Sequence, residues 1–510
     1  MRGDMKVQVL VVGSGLGGAS TTLFLARLGI HVLGISKHRG TMPHPRATGQ
    51  TYRTMELLRV GGVADEVRAG GATGGMVIRI AESLGGPVFR TIVHEEDEID
   101  GGLGPEPYAM ASQDHVEPVL VDRARELGAE VRFHTELRSL RQDADGVTAL
   151  LLDRGTGEEY TVTADYAVGA DGGRSLVRTL LGVGRQGPGH LATHIGVIFR
   201  GDVGADVGGG RFTLYYLRNP AFTGAFATAH SWPHNLFTVE YDPGSGQTPA
   251  DFPPERCVDL LRVATDRPDL RPEITAITSW EMSAWVADAF RVGRVFLVGD
   301  AAKVTPPTGG LGGNTAIGDG YDVAWKLAAV LRGEAGPGLL DSYEAERRPY
   351  ARRIVDGSFH NYVERFAPHL AGPDVPAAID HDTLIMGQRC RSGAVLVEDD
   401  DELEDPRTAT GRPGFRVPHV VVGHAGRQVS TVDFTGEWTL LTADHAAWRD
   451  APVRVPELDD PEGLLARRLG TGPDGASLIR PDGVVAWRTR AVPDDPATTV
   501  TRVLDAVLSR

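Results

Sequence analysis

The feature that most narrows what this chain can fold into is the loop Gly13-Ser14-Gly15-Leu16-Gly17-Gly18, which fits G-x-G-x-x-G with glycines at 13, 15 and 18. The run Gln8–Val12 before it reads as a buried parallel strand, Ala19–Leu28 as a helix, and His31–Ile35 as a second strand. That is a βαβ unit with glycines at its first turn. There Gly13 permits the tight turn, Gly15 and Gly17 let backbone approach a pyrophosphate, and Gly18 lets the helix pack on the sheet. The helix N-terminus supplies N–H donors and positive partial charge. The loop therefore points to a dinucleotide, NAD or FAD, without choosing between them. At the end of the second strand, where an acid would hold the ribose, the chain reads Gly34-Ile35-Ser36-Lys37-His38. Ser36 offers only a neutral and weaker hydrogen bond, and Lys37 or Arg39 would suit a 2′-phosphate had the loop held NADP.

The rest of the chain bounds the function class. A formal net charge of −16 over 510 residues argues against a nucleic-acid partner, which needs a basic face. No apolar run reaches membrane-spanning length. The apolar stretch behind Met1–Lys6 is too short for a signal peptide, so a cytoplasmic location is expected. Cys257 and Cys390 form neither a disulfide framework nor a CxxC pair, and no metal site is expected. Helical patterns cover Gln113–Leu127, Ala316–Leu331 and Leu340–Phe366, and a hairpin joins Val147–Leu152 to Tyr160–Ala164. The middle, Leu191–Trp285, is strand-like and rich in aromatics. The acidic stretch Glu398–Asp405 marks a boundary. Beyond it Thr431–Phe434, Trp438–Leu441, Ser477–Ile479 and Val484–Trp487 read as strands, the last two joined by a turn at Asp482-Gly483.

Two further motifs sharpen the dinucleotide reading. Asp171-Gly172-Gly173-Arg174-Ser175-Leu176-Val177-Arg178 follows a strand end, and Gly299-Asp300 opens a loop continuing through Pro306, Pro307, Gly309, Gly310, Gly312 and Gly313 to Asn314. In this order with the glycine loop, they resemble the single-component flavoprotein aromatic hydroxylases related to p-hydroxybenzoate hydroxylase. Within that group the chain is similar to the polyketide hydroxylases of antibiotic pathways, through Arg53–Arg59, Gly299–Gly310 and Ala476–Gly483. The resemblance implies that Gly13, Gly15, Gly17 and Gly18 hold the FAD pyrophosphate, with Ser36 and Lys37 near the ribose. It places Arg46 and Gln113 on the phosphate side, Asp171 and Gly172 near FAD and the NAD(P)H path, and Asp300 on the flavin's ribose. Pro307, Gly310, Gly312, Gly313 and Asn314 then run along the isoalloxazine. Relatives carry an acid at Ser36, His at Lys303 and Asn at Asp322; Lys303 is left either near the flavin or in solvent.

The implied fold is α/β and α+β. A Rossmann-like FAD-binding domain (1–180 and 281–395) interleaves with a β-sheet substrate domain (181–280, joined by about 75–110), and a thioredoxin-like domain without CxxC follows at 400–510. The implied reaction is an NAD(P)H- and O₂-dependent monooxygenation through a C4a-hydroperoxyflavin, hydroxylating an anthracycline- or angucycline-like polyketide. NADPH and NADH are not distinguished, nor monomer and homo-oligomer. A cation near the reacting phenol would stabilise its oxyanion, and Arg389 and Arg391 are the candidates, in a segment shared with relatives; tying the C-terminal domain to the rest is their alternative role. Period-2 alternation lets one of Tyr215 and Tyr216 face the substrate, and Tyr216 is favoured, with Phe237 a further candidate for the wall. A Baeyer–Villiger oxygenase on the same scaffold and a non-catalytic ligand- or flavin-binding protein stay open. A halogenase is disfavoured, since no Gly-Trp-x-Trp-x-Ile-Pro segment occurs.

Overall fold

The computed structural model describes residues 5–45, 48–72, 75–93, 102–204, 207, 211–229 and 232–510. The glycine loop sits where the sequence puts it, but strand Met5–Val12 runs into helix Leu16–Arg27, three residues earlier than the apolar pattern begins. The glycines carry no side chains to register in that pattern. Met5–Val12 pairs in parallel with both Glu159–Gly169 and Val32–Ile35. Glu130–Arg132 and Val295–Leu297 extend the sheet in parallel on either side. The expected hairpin, Val147–Asp153 with Glu159–Gly169, is present and antiparallel.

A second sheet of eight strands runs in the order Lys303–Val304, Glu273–Ala287, Arg185–Arg200, Asn235–Tyr241, Phe222–Thr228, Phe212–Asn219, Met76–Ala81, Val88–Val93. Its two faces separate by the strand period of two. Tyr215, Leu217, Phe226, Phe237 and Val239 join Cys257, Leu261 and Ala264 of helix Pro254–Thr265 in one core. The alternate residues Leu214, Tyr216, Ala225, Ala227 and Leu236 turn to the other face, over a cavity.

Beyond Glu398–Asp405 lie a hairpin, Val421–His424 with Arg427–Ser430, and a three-stranded antiparallel sheet of Thr439–Thr442, Ala476–Ile479 and Val485–Thr489. Helix Pro496–Val507 follows. The expected strand Thr431–Phe434 is instead a 3-10 turn. Ser430 Oγ accepts from Val432 N, and Asp433 accepts from Ser430 N, a local cap that outcompetes the β pattern. Among the described residues no helix is long and apolar enough to cross a membrane.

The C-terminal unit is bolted to the rest by a buried ionic cluster. Lys326 Nζ lies 2.9 Å from both Asp322 and Glu346, and Arg480 reaches Glu346 at 2.6 Å and also Asp482. Ser392 Oγ donates to Glu346 at 2.5 Å. The three carboxylates lie close enough together to hold a metal ion, but an ammonium and a guanidinium occupy the cationic role. Three acids against two bases leave one negative charge in excess. Burial therefore pushes Asp322, the least supported acid, up to about 6, against the pull of Lys326. Glu346 stays well below its ordinary range, because Arg480 and Lys326 outweigh its own burial.

Glu346→Gln should cost about 3–5 kcal/mol, since Glu346 is the acid that Lys326 and Arg480 share and its loss breaks the direct buried pair to each; denaturant unfolding reads this directly. Asp322 gives the opposite sign. Its folded pKa of about 6 lies above the ordinary 3.8, so the native state holds the extra proton and stability falls as pH rises through that window. Asp322→Asn should therefore be more stable than wild type at pH 8, with the gap closing toward pH 4.

Candidate functional site

One cavity of about 2040 Å³ runs from the glycine loop to the open face of the second sheet. Ordinary ligand pockets hold roughly 300–1,000 Å³, so this one has room for a cofactor and a second molecule together. Gly13, Gly15, Gly17, Ser36, Lys37, Gln113, Asp171, Gly172, Asp300, Pro307, Gly310, Gly312, Gly313 and Asn314 all line it. Sequence positions hundreds of residues apart thus converge. Gly18 does not line it: a Cβ there would lie 2.0 Å from the Gly13 carbonyl oxygen, so its role is close packing. Gly13 has φ +114°, and a Cβ on it would meet Ala170 O at 2.1 Å. Arg46 lies outside the described residues.

Two helix N-termini open on this cavity. Leu16–Arg27 begins at Gly15 and Leu311–Leu331 at Gly310, neither with a side-chain cap, so their first N–H groups remain for a ligand. A Cβ on Gly15 would meet only Glu117 Oε1, at 3.7 Å, and on Gly310 only Thr48 O, at 3.9 Å. Smooth backbone, free donors and positive dipole ends suit an anionic dinucleotide, and the donor set fits FAD. Asn314 fixes the second terminus: its Oδ1 accepts from Thr51 N at 2.9 Å, and its Nδ2 donates to Gly49 O and Gly310 O. Asp171 caps helix Leu176–Leu180 by accepting from Leu176 N at 2.7 Å and Val177 N at 3.1 Å.

Buried Glu117, which the sequence reading missed, accepts from Met42 N at 2.8 Å and Gln113 Nε2 at 2.5 Å, holding the loop after Ser36 against helix Gln113–Glu126. Lys303 lies in neither place left open for it. It is buried 2.6 Å from Asp319, whose other oxygen pairs with Arg347 at 2.7 Å. Asp319 also accepts from Gly299 N, so the ion pair anchors the Gly-Asp loop from behind.

The far chamber is walled largely by apolar and aromatic side chains. Gly196, Ala225 and Ala227 form a low floor, and Phe212, Trp232, Trp280 and Phe366 rise around it. Tyr216 faces this chamber, whereas Tyr215 faces the opposite core. Phe237 borders the cavity, but its ring is packed against Phe222 on the core side. Fully buried His194 stacks on Trp280 at 4.6 Å, and burial, with His190 nearby, lowers it to about 4, so the wall stays neutral.

An arginine does line this chamber, but it is not Arg389 or Arg391. Arg389 is buried against Pro413 O and the Asp399–Asp401 turn, and Arg391 pairs with Asp400; neither lines the cavity. Carbonyls and acids of the boundary segment use them up, which corrects their catalytic assignment. Arg365, at the end of helix Asp341–Arg365, stands at the junction instead. Its Nη1 donates to Thr308 O at 2.5 Å and lies 3.4 Å from Tyr216 Oη, and Nη2 reaches Asn361 at 3.2 Å. Its buried Nε has no partner among the described residues. One guanidinium thus bridges the Pro/Gly loop and the chamber. A sequence signal existed only weakly, in the i,i+4 pair Asn361–Arg365 before Phe366.

A cradle for an anionic dinucleotide joined to a chamber with aromatic walls fits a flavoprotein acting on a ring. Comparison with known proteins agrees. Residues 6–358 match the FAD binding domain family, and residues 410–510 match the family of aromatic-ring hydroxylase C-terminal domains. An aklavinone 12-hydroxylase of Streptomyces purpurascens is 49% identical over 99% of this chain and 100% of its own length. A tetracenomycin A2 monooxygenase-dioxygenase of Streptomyces glaucescens is 37% identical over 99% of this chain and 97% of its own. The crystal structure of an aklavinone-11 hydroxylase with FAD and aklavinone superposes with a TM-score of 0.94, at 47% identity and full coverage of both chains. The chain belongs to the FAD-dependent aromatic-ring hydroxylases, and FAD is its cofactor.

Ser36→Glu should tighten FAD binding by roughly tenfold, the difference between a charged and a neutral hydrogen-bond acceptor. Titrating apoprotein with FAD and following flavin fluorescence checks this; unchanged affinity would mean that the ribose does not reach position 36.

Proposed function

We propose that this chain is a cytoplasmic NAD(P)H- and O₂-dependent FAD monooxygenase that hydroxylates a polycyclic aromatic polyketide of the anthracycline or angucycline kind, in antibiotic biosynthesis. The observation that carries the reading is the single cavity leading from two helix N-termini to a chamber walled by aromatic side chains, with Arg365 at the junction. FAD, when bound and reduced by NAD(P)H, supplies activated oxygen for transfer to the ring. The protein's own residues position and tune. The loop Gly13–Gly17 and the start of helix Leu16–Arg27 would hold the pyrophosphate. Ser36 and Asp300 would meet the sugars and Pro307–Asn314 would edge the isoalloxazine, and the helix starting at Leu311 presents its positive end to the cavity.

In the chamber, the small residues of the floor admit a planar ring system, and the aromatic walls exclude water. Arg365 faces the reacting ring beside Tyr216, where a fixed cation favours phenolate over phenol and so makes the ring carbon a better nucleophile. The division into an FAD domain, an interleaved sheet domain and a C-terminal unit follows the two large sheets. The C-terminal unit reads as thioredoxin-like, on the parallel bridge Thr439–Arg454 beside an antiparallel pair, and serves assembly, since both cysteines lie outside it.

Holoenzyme given aklavinone and NADPH should yield a product one oxygen atom heavier and bearing a new ring hydroxyl. A ring-expanded lactone would place the chain among Baeyer–Villiger enzymes instead. Arg365→Gln should keep FAD but lower kcat by about 10²–10³, as for loss of one oxyanion-stabilising group; product formed per NADPH oxidised, with Tyr216→Phe as the milder comparison, checks it.

A further inference from the structure

Helix Asp341–Arg365 brings a second polar side chain to the cavity. His360, half-buried, lines it about 7.5 Å along the helix axis before Arg365, at a rise of about 1.5 Å per residue. Its Nδ1 lies 2.8 Å from the carbonyl oxygen of Pro376. A carbonyl can only accept, so Nδ1 carries the hydrogen, and Nε2 of the neutral ring is left with its lone pair. Among the described residues Nε2 has no hydrogen-bond partner. Other polar groups on this side of the cavity are engaged: Asn361 with Arg365, and Tyr108 with His381 at 2.8 Å. A histidine whose tautomer is fixed from behind, presenting a bare nitrogen to a cavity, has the arrangement of a proton acceptor.

We propose that His360 takes the proton of the substrate's ring hydroxyl, an inference that rests on the hydroxylase reading above. The O–H bond breaks, its electron pair stays on oxygen as phenolate beside Arg365, and the hydrogen forms an Nε2–H bond. The resulting imidazolium lies one residue-turn from the Glu364 carboxylate, itself paired with Arg90 at 2.5 Å, and gives its proton to solvent through the cavity mouth. The two roles are divided: Arg365 stabilises the charge, and His360 removes the proton.

Holoenzyme variants His360→Gln and His360→Ala, assayed with aklavinone and NADPH, test this. Gln preserves volume and hydrogen bonding but cannot take a proton. Both should keep FAD and bind aklavinone as wild type does, while kcat falls by roughly 100-fold or more, and added imidazole should restore part of the rate to His360→Ala. Wild-type kcat in His360→Gln, a loss confined to KM, or a loss that imidazole leaves unchanged would each overturn the proposal. If wild type itself hydroxylates neither aklavinone nor a simple hydroxyanthraquinone, the hydroxylase reading is what fails.

Discussion

Everything at the site hangs on one helix, Leu311–Leu331, and on the carboxylate of Asp319 inside it. That carboxylate binds the backbone of Gly299, the ammonium of Lys303 and the guanidinium of Arg347. It is fully buried, yet Lys303 and Arg347 keep it charged below its ordinary range in spite of that burial. The helix start, the Gly-Asp loop and helix Asp341–Arg365 are thereby fixed to one another. Three residues on, Asp322 and Lys326 repeat the device toward the C-terminal unit. On its third side Gly320 lies against Ser20 and Thr21 of the glycine-loop helix, where a Cβ would come within 2.5 Å of Ser20 Oγ. One element therefore sets the distance between the two helix N-termini that face the cavity.

The sequence made the cofactor half of this legible, because its chemistry is local. Gly13 needs a positive φ, Gly18 needs the absence of a Cβ, and Asp171 caps the helix that follows it; each constraint is written within a few residues. The sheet faces were also readable from period-2 alternation, which put Tyr216 on the correct side. One helix start and one element type were misread: side-chain patterns do not register the glycines at 17 and 18, nor the cap that turns Thr431–Phe434 into a 3-10 helix.

The substrate half was not legible. Arg389 and Arg391 stand out in sequence because they lie in a segment shared with relatives, but the carbonyls and acids that neutralise them come from the boundary loop that folds over them. Arg365 ends a helix crowded with charge, Arg352, Arg353 and Glu364 among it, and reads there as one more solvated residue. Only the docking of that helix against Thr308 turns it inward. Lys303, left open between the flavin and solvent, proved to be half of a buried pair. In each case the deciding partner lies outside the local side-chain pattern, on another turn, loop or helix.

The buried Arg480 has a consequence for how such a protein can change over time. The C-terminal unit looks like a separable module by its sheet and its boundary, yet its anchoring cation is neutralised by Glu346 of the catalytic portion, and Arg416 of the same unit pairs with buried Glu56. An exchange of C-terminal modules between relatives has to preserve both acids or bring matching bases with it. The two portions are therefore constrained to change together, since each buried pair has one partner before the acidic stretch Glu398–Asp405 and one after it.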